Sequence, residues 1–315
     1  MQWPTRLLEP KAEVEHGRSG TAGSGAARRC EMSWESRAAS VISAAGVRMP
    51  RILYGTAWKK EQTESLVRQA VAHGFRGIDT ACQPKHYHEP GVGAAVAACL
   101  REGLKRDELY LQTKFTPVSG QDPARIPYDA EASLPEQVMQ SCAVSLQNLQ
   151  TSYIDSLVLH SPLPRAEQTL EVWRAMEALV DAGTVRQIGL SNCYRLDTLK
   201  ALHQASRIKP TVLQNRFHAE TDYDVAIRAF CCQRGILYQS FWTLTANPEL
   251  LADETLRLLS LKYRRTPAQL LFRYLTQNDV VPLTGTRSAT HMREDLAIFE
   301  FELTDVELRA ITALL

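Results

Sequence analysis

Short apolar segments alternate with amphipathic segments along most of the chain. Apolar runs of about four to eight residues bounded by turn residues predict strands, and apolar side chains at helical spacing predict helices. The predicted strands are RILYGTA (51–57), FRGID (75–79), ELYLQTKF (108–115), YIDSLVLH (153–160), TVRQIGLS (184–191), PTVLQN (210–215), ILYQSF (236–241) and DVVPLTG (279–285). A helical pattern follows each strand, and the stretch PELLADETLRLLSLKY (248–263) predicts a longer helical region.

The predicted strands are short and apolar on both faces, as a parallel sheet covered on both sides requires. Eight strand–helix units over roughly 260 residues match a (β/α)₈ barrel better than a doubly wound sheet of two halves. No G-x-G-x-x-G sequence opens a helix after a first strand, so the dinucleotide fingerprint of a doubly wound fold is missing. The sequence therefore predicts an α/β protein, a (β/α)₈ TIM barrel over residues 43–315.

Composition and charge argue against several classes of function. The 315 residues are 44% hydrophobic and 23% charged, with a formal net charge of +1. Nucleic-acid and membrane-surface proteins normally carry a basic excess, and no apolar run reaches the length of about 20 residues that a membrane span needs. Seven cysteines without a C-x-x-C pair favour thiols in a reducing compartment. We expect a cytoplasmic protein, a monomer or weak dimer, that acts on a small molecule.

The first residues differ from the rest of the chain. The stretch EHGRSGTAGSGAARRC (15–30) is rich in Gly, Ser, Ala and Arg and has no helical or strand period, which predicts a disordered N-terminal extension over residues 1–42. A targeting segment is the alternative, although Glu9, Glu13 and Glu15 are unusual in a transit peptide.

Ionisable residues end three consecutive strands. Asp79, Lys114 and His160 each close an apolar run, and the carboxyl ends of barrel strands gather such residues around one pocket. Tyr87 lies in the loop after Asp79. A lysine paired with the aspartate is expected to lower the pKa of the tyrosine, so that the phenol donates a proton to a carbonyl oxygen while the histidine orients it. The hydride must then come from a cofactor.

Other readings of these residues remain open. His86 or His88 could replace Tyr87 as the acid, since a histidine is a competent proton donor. A metal-dependent hydrolase would use Asp79, His86 and His160 as ligands, although the first strand lacks the H-x-H typical of such barrels. We predict no metal site.

Seven stretches of the chain resemble the aldo-keto reductase superfamily, in which NAD(P)H-dependent barrel enzymes interconvert carbonyls and alcohols. The stretches are GVRMPRILYGTAW, GFRGIDTA, LYLQTKF, SYIDSLVLHSP, GTVRQIGLSN, VLQNRFH and TPAQLLFRYL, in the family's order and near its spacing. The variants GTAWKK and KHYHEPGVG are closer to a fungal-type subgroup. The resemblance implies the barrel, an N-terminal β-hairpin cap, C-terminal loops and helices, and an NADPH-dependent reductase of aldehydes and ketones.

The resemblance also assigns the four catalytic positions, Asp79, Tyr87, Lys114 and His160, which we call the tetrad. The family's tyrosine normally follows the aspartate by five residues, where this chain has Pro84. The loop is about two residues longer here, and Tyr87 is its only tyrosine. We therefore take Tyr87 as the proton donor.

Further positions match residues that hold the cofactor in the family. The implied cofactor-binding residues are Thr56, Trp58, Ser191, Asn192, Gln214, Phe241, Arg287, Ser288, Glu294 and Asp295. Among these, Ser191 and Asn192 could instead cap the helix that follows. Phe241 would stack on the nicotinamide ring, with Trp242 beside it a departure from the family's pattern. Arg287 would contact the 2′-phosphate of NADPH in place of a missing lysine, which favours NADPH over NADH.

An alternative function of the same fold is a slow, NADPH-binding regulatory subunit. Trp58 and Trp242 would make the pocket apolar and favour aromatic or aliphatic aldehydes over sugars. The loop TPVSGQDPARIPYDAEAS (116–133), which contains Tyr128, is expected to form a lid or a surface extension.

Overall fold

The computed structural model describes residues 39–315 and begins with a β-hairpin. Strand β1 (Ser40–Ile42) pairs antiparallel with β2 (Arg48–Pro50), and Gly46 adopts a left-handed φ of 77° in the turn between them. The predicted hairpin cap is confirmed. Residues 40–42 were assigned to the extension, so the folded domain begins earlier than residue 43. The remainder of the predicted extension, residues 1–38, lies outside the described residues.

Eight parallel strands close into a barrel, because the last strand pairs with both its predecessor and the first. The barrel strands are β3 (Leu53–Gly55), β4 (Gly77–Asp79), β5 (Tyr110–Phe115), β6 (Ser156–Leu159), β7 (Ile188–Ser191), β8 (Val212–Arg216), β9 (Leu237–Phe241) and β10 (Val280–Thr284). All eight fall on predicted strands, and β8 runs one residue further than predicted. The (β/α)₈ barrel is confirmed.

The helices lie between the strands and after the last of them. They are α1 (Thr63–His73), α2 (Glu89–Arg101), α3 (Leu134–Leu149), α4 (Ala166–Asp181), α5 (Leu196–Ala205), α6 (Val225–Arg234), α7 (Pro248–Ala252), α8 (Glu254–Tyr263), α9 (Pro267–Gln277), α10 (Ala289–Leu296) and α11 (Asp305–Thr312). The predicted region 248–263 is two helices, because the Asp253 carboxylate accepts from the Thr255 amide at 2.7 Å and starts a new helix. Within residues 39–315, no helix has both the length and the apolarity to cross a bilayer.

Two apolar clusters fill the amino-terminal end of the barrel and the space between its strands and helices. Met49 of the hairpin packs with Leu53, Tyr110 and Val281 at the amino-terminal ends of the strands, so the hairpin covers that end of the barrel. The larger cluster fills the space between the strands and the helices. Because apolar side chains fill the amino-terminal end of the barrel and the layer around it, we expect a ligand site at the carboxyl ends of the strands.

Candidate active site

A buried ion pair joins the ends of two neighbouring strands. The Lys114 Nζ of β5 donates to the Asp79 Oδ2 of β4 at 2.6 Å and to the Thr80 carbonyl at 2.8 Å. The two side chains are 1% and 3% exposed. Burial lowers the pKa of Lys114, and the Asp79 carboxylate opposes this effect. The lysine ammonium is therefore held in place by one carboxylate oxygen and one carbonyl.

The second oxygen of Asp79 accepts hydrogen bonds from two of three linked glutamine side chains inside the barrel, which we call the amide layer: Gln112, Gln214 and Gln239. Gln112 and Gln214 donate to the Asp79 Oδ1 at 2.7 and 3.0 Å. Both also donate to the Gln239 Oε1, and the Gln239 Nε2 donates back to Gln112 at 3.0 Å. The Tyr110 hydroxyl donates to the Gln112 Oε1 at 2.8 Å. Each member of the layer thus fixes the orientation of another.

Tyr87 lies beside the ion pair. The Lys114 Nζ is 5.2 Å from the centroid of the Tyr87 ring, and the His160 ring meets it edge-on with centroids 6.0 Å apart. Burial, and secondly the Asp79 carboxylate, raise the pKa of Tyr87 well above its ordinary value. The expectation of a lowered tyrosine pKa is wrong for this structure, because burial and the nearby Asp79 carboxylate both disfavour the phenolate. The phenol therefore holds its proton at neutral pH.

His160 follows β6 directly and is neutral. Its Nδ1 lies 2.6 Å from the Thr116 Oγ1, and its carbonyl accepts from the Asn192 Nδ2 at 2.8 Å. Burial, and then the charges of Lys114 and His86, lower the pKa of His160 to about 3. Among the described residues, no three His, Cys, Asp or Glu side chains group as a metal site would need.

The two other histidines of the loop occupy different places. His86 stacks on Trp58 with ring centroids 4.0 Å apart and lines the cavity described below. His88 is exposed, precedes α2 and is not among the lining residues. Of the two histidine alternatives to Tyr87, the geometry therefore leaves only His86.

A cavity of about 940 Å³ opens at the carboxyl ends of the strands. Asp79, Tyr87 and His160 line one part of it. Seven of the ten cofactor candidates also line it: Trp58, Ser191, Asn192, Gln214, Phe241, Glu294 and Asp295. This volume lies near the upper end of ligand pockets, which extend to about 1,000 Å³, so the cavity has room for a large ligand.

Three cofactor candidates do not line the cavity. The Thr56 hydroxyl donates to the Asp79 carbonyl at 2.9 Å, and the Ser288 Oγ caps α10 by accepting from the His291 amide. The exposed Arg287 donates to the Trp58 carbonyl at 2.6 Å. Thr56 and Ser288 thus have local structural partners, whereas Arg287 is adjacent to the lining residues Trp58 and Thr286.

Ser191 and Asn192 do not cap α5, because the residue before that helix is Arg195 and no side chain caps it. The Ser191 hydroxyl donates to the Gln214 carbonyl at 2.7 Å. Asn192 has a φ of 51° and donates to the His160 carbonyl, so a left-handed backbone turns its amide toward His160. The capping alternative is wrong.

The charged residues of α10 form the far end of the cavity. Asp295 is 4% exposed, and burial raises its pKa to about 6. Its Oδ2 is buried and has no hydrogen-bond partner among the described residues. Glu294 lies next to it on the lining. This carboxyl oxygen therefore lies behind the cavity surface, without a partner among the described residues.

Several residues that no sequence pattern singled out also line the cavity. Arg216 ends β8, and its Cζ lies 4.3 Å from the centroid of a Trp242 ring. Thr266 and Phe272 of the α9 region line the far end. Arg216 could have been found from period-two alternation, because it is two residues after Gln214 and so faces the same side of the strand.

The segment 116–133, which follows β5, is attached to the barrel by hydrogen bonds and is not a free lid. The Tyr128 hydroxyl donates to the Thr116 carbonyl at 2.6 Å, and Tyr128 is only 8% exposed. Gln83 donates to the Gly120 carbonyl at 2.7 Å. These bonds hold the segment against the wall of the cavity.

The barrel and this site belong to a known class. The profile of the aldo/keto reductase family matches residues 51–315, so the chain belongs to that family and is an oxidoreductase of it. Its relatives include a methylglyoxal reductase from Yersinia pestis, 30% identical over 269 residues, with 84% of this chain and 89% of the relative covered. An NADP-dependent D-sorbitol-6-phosphate dehydrogenase from Malus domestica is 27% identical over 306 residues, covering 86% and 92%. The crystal structure of an aldo/keto reductase from Brucella melitensis matches with a TM-score of 0.73 and 28% identity, covering 87% of this chain and 98% of that one.

Proposed function

We propose that the protein reduces aldehydes and ketones to alcohols, with NADPH as the hydride donor and Tyr87 as the proton donor. The observation that carries the proposal is the position of Tyr87 against Lys114 and His160, in a cavity that continues to Phe241 and Glu294. The relatives named as a methylglyoxal reductase and an NADP-dependent dehydrogenase support the carbonyl substrate and the cofactor.

His160 orients the carbonyl. Its pKa of about 3 keeps the ring neutral, and we assign the ring hydrogen to Nε2 because Thr116 can donate to Nδ1. The Nε2–H then donates to the carbonyl oxygen and polarises it. A neutral ring does this without competing with Tyr87 for the role of acid.

Tyr87 supplies the proton. Bound NADPH would supply the hydride to the carbonyl carbon. The negative charge that develops on the carbonyl oxygen makes it a stronger base than a phenolate, so the phenol can protonate it despite the raised pKa. Lys114 stabilises the phenolate that remains, while Asp79 and the amide layer hold Lys114 in position.

The preference for NADPH rests on Arg287. It is exposed beside the cavity lining and forms a hydrogen bond only to the Trp58 carbonyl among the described residues. A guanidinium is well suited to a phosphate in such a position. The half-exposed rings of Trp58 and Trp242 line the same cavity and favour aliphatic or aromatic aldehydes over sugars.

The substitution Tyr87→Phe tests the assignment. We expect turnover of methylglyoxal to fall by about 10²–10⁴-fold, the usual contribution of a general acid, while the Kd for NADPH stays unchanged. His88→Ala is the matched control, since His88 lies in the same loop but outside the cavity. Near-normal activity of the Tyr87 variant, together with loss in His86→Ala, would transfer the role to His86.

We also propose that the protein acts in the cytoplasm as a monomer or weak dimer. Its described cysteines are free thiols, five buried and one exposed, which suits a reducing compartment. Light scattering after size exclusion would measure the mass, and a stable tetramer would contradict the proposal.

A further inference from the structure

His86 presents an imidazole to the cavity without a hydrogen bond of its own. The side chain lines the cavity and bonds to no other residue within 39–315. It is half-buried, so its nitrogens can be reached from the cavity. The ring stacks on Trp58 with centroids 4.0 Å apart. Stacking occupies a face of the imidazole, whereas both nitrogens lie on its edge, where a ligand can meet them.

The other polar side chains on this wall are already bonded. The Thr116 Oγ1 lies 2.6 Å from the His160 Nδ1, and the Gln83 Nε2 donates to a carbonyl of the loop after β5 at 2.7 Å. The Gln83 Oε1 lacks a partner among the described residues, but it is buried. Apart from the tetrad, the lining side chains after β4, β5 and β6 with no hydrogen bond to the described chain are His86 and Ser161.

His86 lies beside the groups proposed to hold the reacting carbonyl. It directly precedes Tyr87 in the chain. Its charge contributes to the lowered pKa of His160, so the two imidazoles are near each other. A donor at this place suits an oxygen on the carbon next to the reacting carbonyl, because that oxygen lies one carbon further from Tyr87 and His160.

The charge of the ring narrows the kind of oxygen. Burial, and then the charge of Lys85, lower the pKa of His86 below its ordinary value, so the ring is neutral at neutral pH. A neutral imidazole offers one N–H donor and one acceptor nitrogen. It has no charge with which to bind a carboxylate. A carbonyl oxygen, which only accepts, matches the N–H.

We propose that His86 is a specificity-determining residue that selects 1,2-dicarbonyl substrates, by donating a hydrogen bond to the carbonyl oxygen next to the one that is reduced. The inference rests on the proposed function, because it takes Tyr87 and His160 as the groups that hold the reacting carbonyl. That carbonyl gains a hydride from the NADPH that is oxidised to NADP⁺ and a proton from Tyr87, and it becomes an alcohol. The second carbonyl is unchanged. An aldehyde without it would leave the His86 N–H without a partner, which disfavours that aldehyde.

The test compares the reduction of two three-carbon aldehydes, methylglyoxal and propanal, which differ by the second carbonyl. His86→Phe keeps an aromatic ring against Trp58 and removes the N–H. We expect the ratio of kcat/KM for methylglyoxal to that for propanal to fall about three- to tenfold, as for one hydrogen bond between neutral groups. The hydration of methylglyoxal in water is the same for every variant and cancels from this comparison.

Two further variants separate this effect from a general one. His88→Phe is the matched control, because His88 lies in the same loop but not on the lining, so its ratio should equal that of the wild type. His86→Gln supplies an N–H donor without the aromatic ring and should recover part of the lost ratio.

Several results would overturn the inference. An unchanged ratio in His86→Phe, with both aldehydes still reduced, removes the contact and leaves the proposed function standing. An equal fall for both aldehydes would mean that His86 acts on the carbonyl they share. A larger fall for 2-hydroxypropanal than for methylglyoxal would assign His86 to a hydroxyl group. A selective loss for methylglyoxal in Ser161→Ala but not in His86→Phe would place the second oxygen at Ser161. A wild type that binds NADPH but reduces none of these aldehydes overturns the proposed function, and the inference with it.

Discussion

The Lys114–Asp79 pair should be a determinant of stability as well as of catalysis. The substitution Lys114→Met keeps a long, unbranched side chain but removes the ammonium. The Asp79 carboxylate, 2% exposed, then keeps only the Gln112 and Gln214 amides as donors. At an effective dielectric constant of about 20, the Coulomb attraction between the two charges at 2.6 Å is about 6 kcal/mol. The variant loses this attraction, but it no longer buries the Lys114 ammonium, and the desolvation energy saved in this way offsets part of the loss. Breaking a buried pair from one side costs about 3–5 kcal/mol, which we expect here.

The second variant separates the charge from the packing. Lys114→Met combined with Asp79→Asn removes both charges and keeps an oxygen that can accept from Gln112 and Gln214. We expect it to recover about 2 kcal/mol or more of the loss, because no unpaired charge stays buried. Lys262→Met is the matched control. Its ammonium is 2.5 Å from Glu307 but 58% exposed, so the cost should be about 1 kcal/mol or less.

Urea unfolding followed by tryptophan fluorescence measures these free energies by linear extrapolation. A loss of less than about 1 kcal/mol for Lys114→Met would contradict this expectation, because ordinary surface substitutions change stability by about 0.5 kcal/mol. A second contradicting result would be a double variant whose loss equals the sum of the losses of Lys114→Met and Asp79→Asn alone. The two side chains would then be energetically independent.

Three further predictions concern pH, packing and the cofactor. The pKa of His160, lowered to about 3, means that the ring gains a proton only near that pH, so kcat/KM for reduction should show no acid inflection from this group between about pH 5 and 8; an inflection in that range that His160→Gln removes would contradict it. Gly93→Ala should destabilise the protein by about 1–3 kcal/mol in urea, because its Cβ would lie 2.0 Å from the Asn148 carbonyl oxygen, whereas Gly285→Ala, whose Cβ meets nothing nearer than 4.0 Å, should be close to neutral. Arg287→Ala should raise the KM for NADPH far more than that for NADH, and an equal rise would remove the 2′-phosphate contact.

The fold was predictable because its signals are local. Each barrel strand is a short apolar run, and strand ends in a closed barrel must converge, so Asp79, Lys114 and His160 could be placed in one site without coordinates. The helix break at Asp253 was missed because the surrounding apolar period continues through it. Its cause is a single side-chain bond to the Thr255 amide.

The charge states and several contacts could not be predicted from the sequence. The raised pKa of Tyr87 depends on how deeply the ring is buried and on the distance to the Asp79 carboxylate, and both are properties of the packed barrel. Thr56 and Ser288 matched cofactor positions, but each hydroxyl bonds to nearby backbone. Strand polar residues such as Gln112 give no sign of which partner they meet, because register between strands distant in the chain decides it.

The amide layer beneath the tetrad limits which substitutions the interior of the barrel can accept. Gln112, Gln214 and Gln239 each satisfy the bonds of another, so replacing any one by an aliphatic residue leaves buried donors or acceptors unpaired. Exchanging all three together would remove the bonds within the layer, but it would take both amide donors from Asp79 and the acceptor from the Tyr110 hydroxyl. Single aliphatic substitutions at these three positions are therefore expected to be unfavourable. A redesign that aims at an apolar barrel interior must change all three positions together and supply Asp79 with new donors.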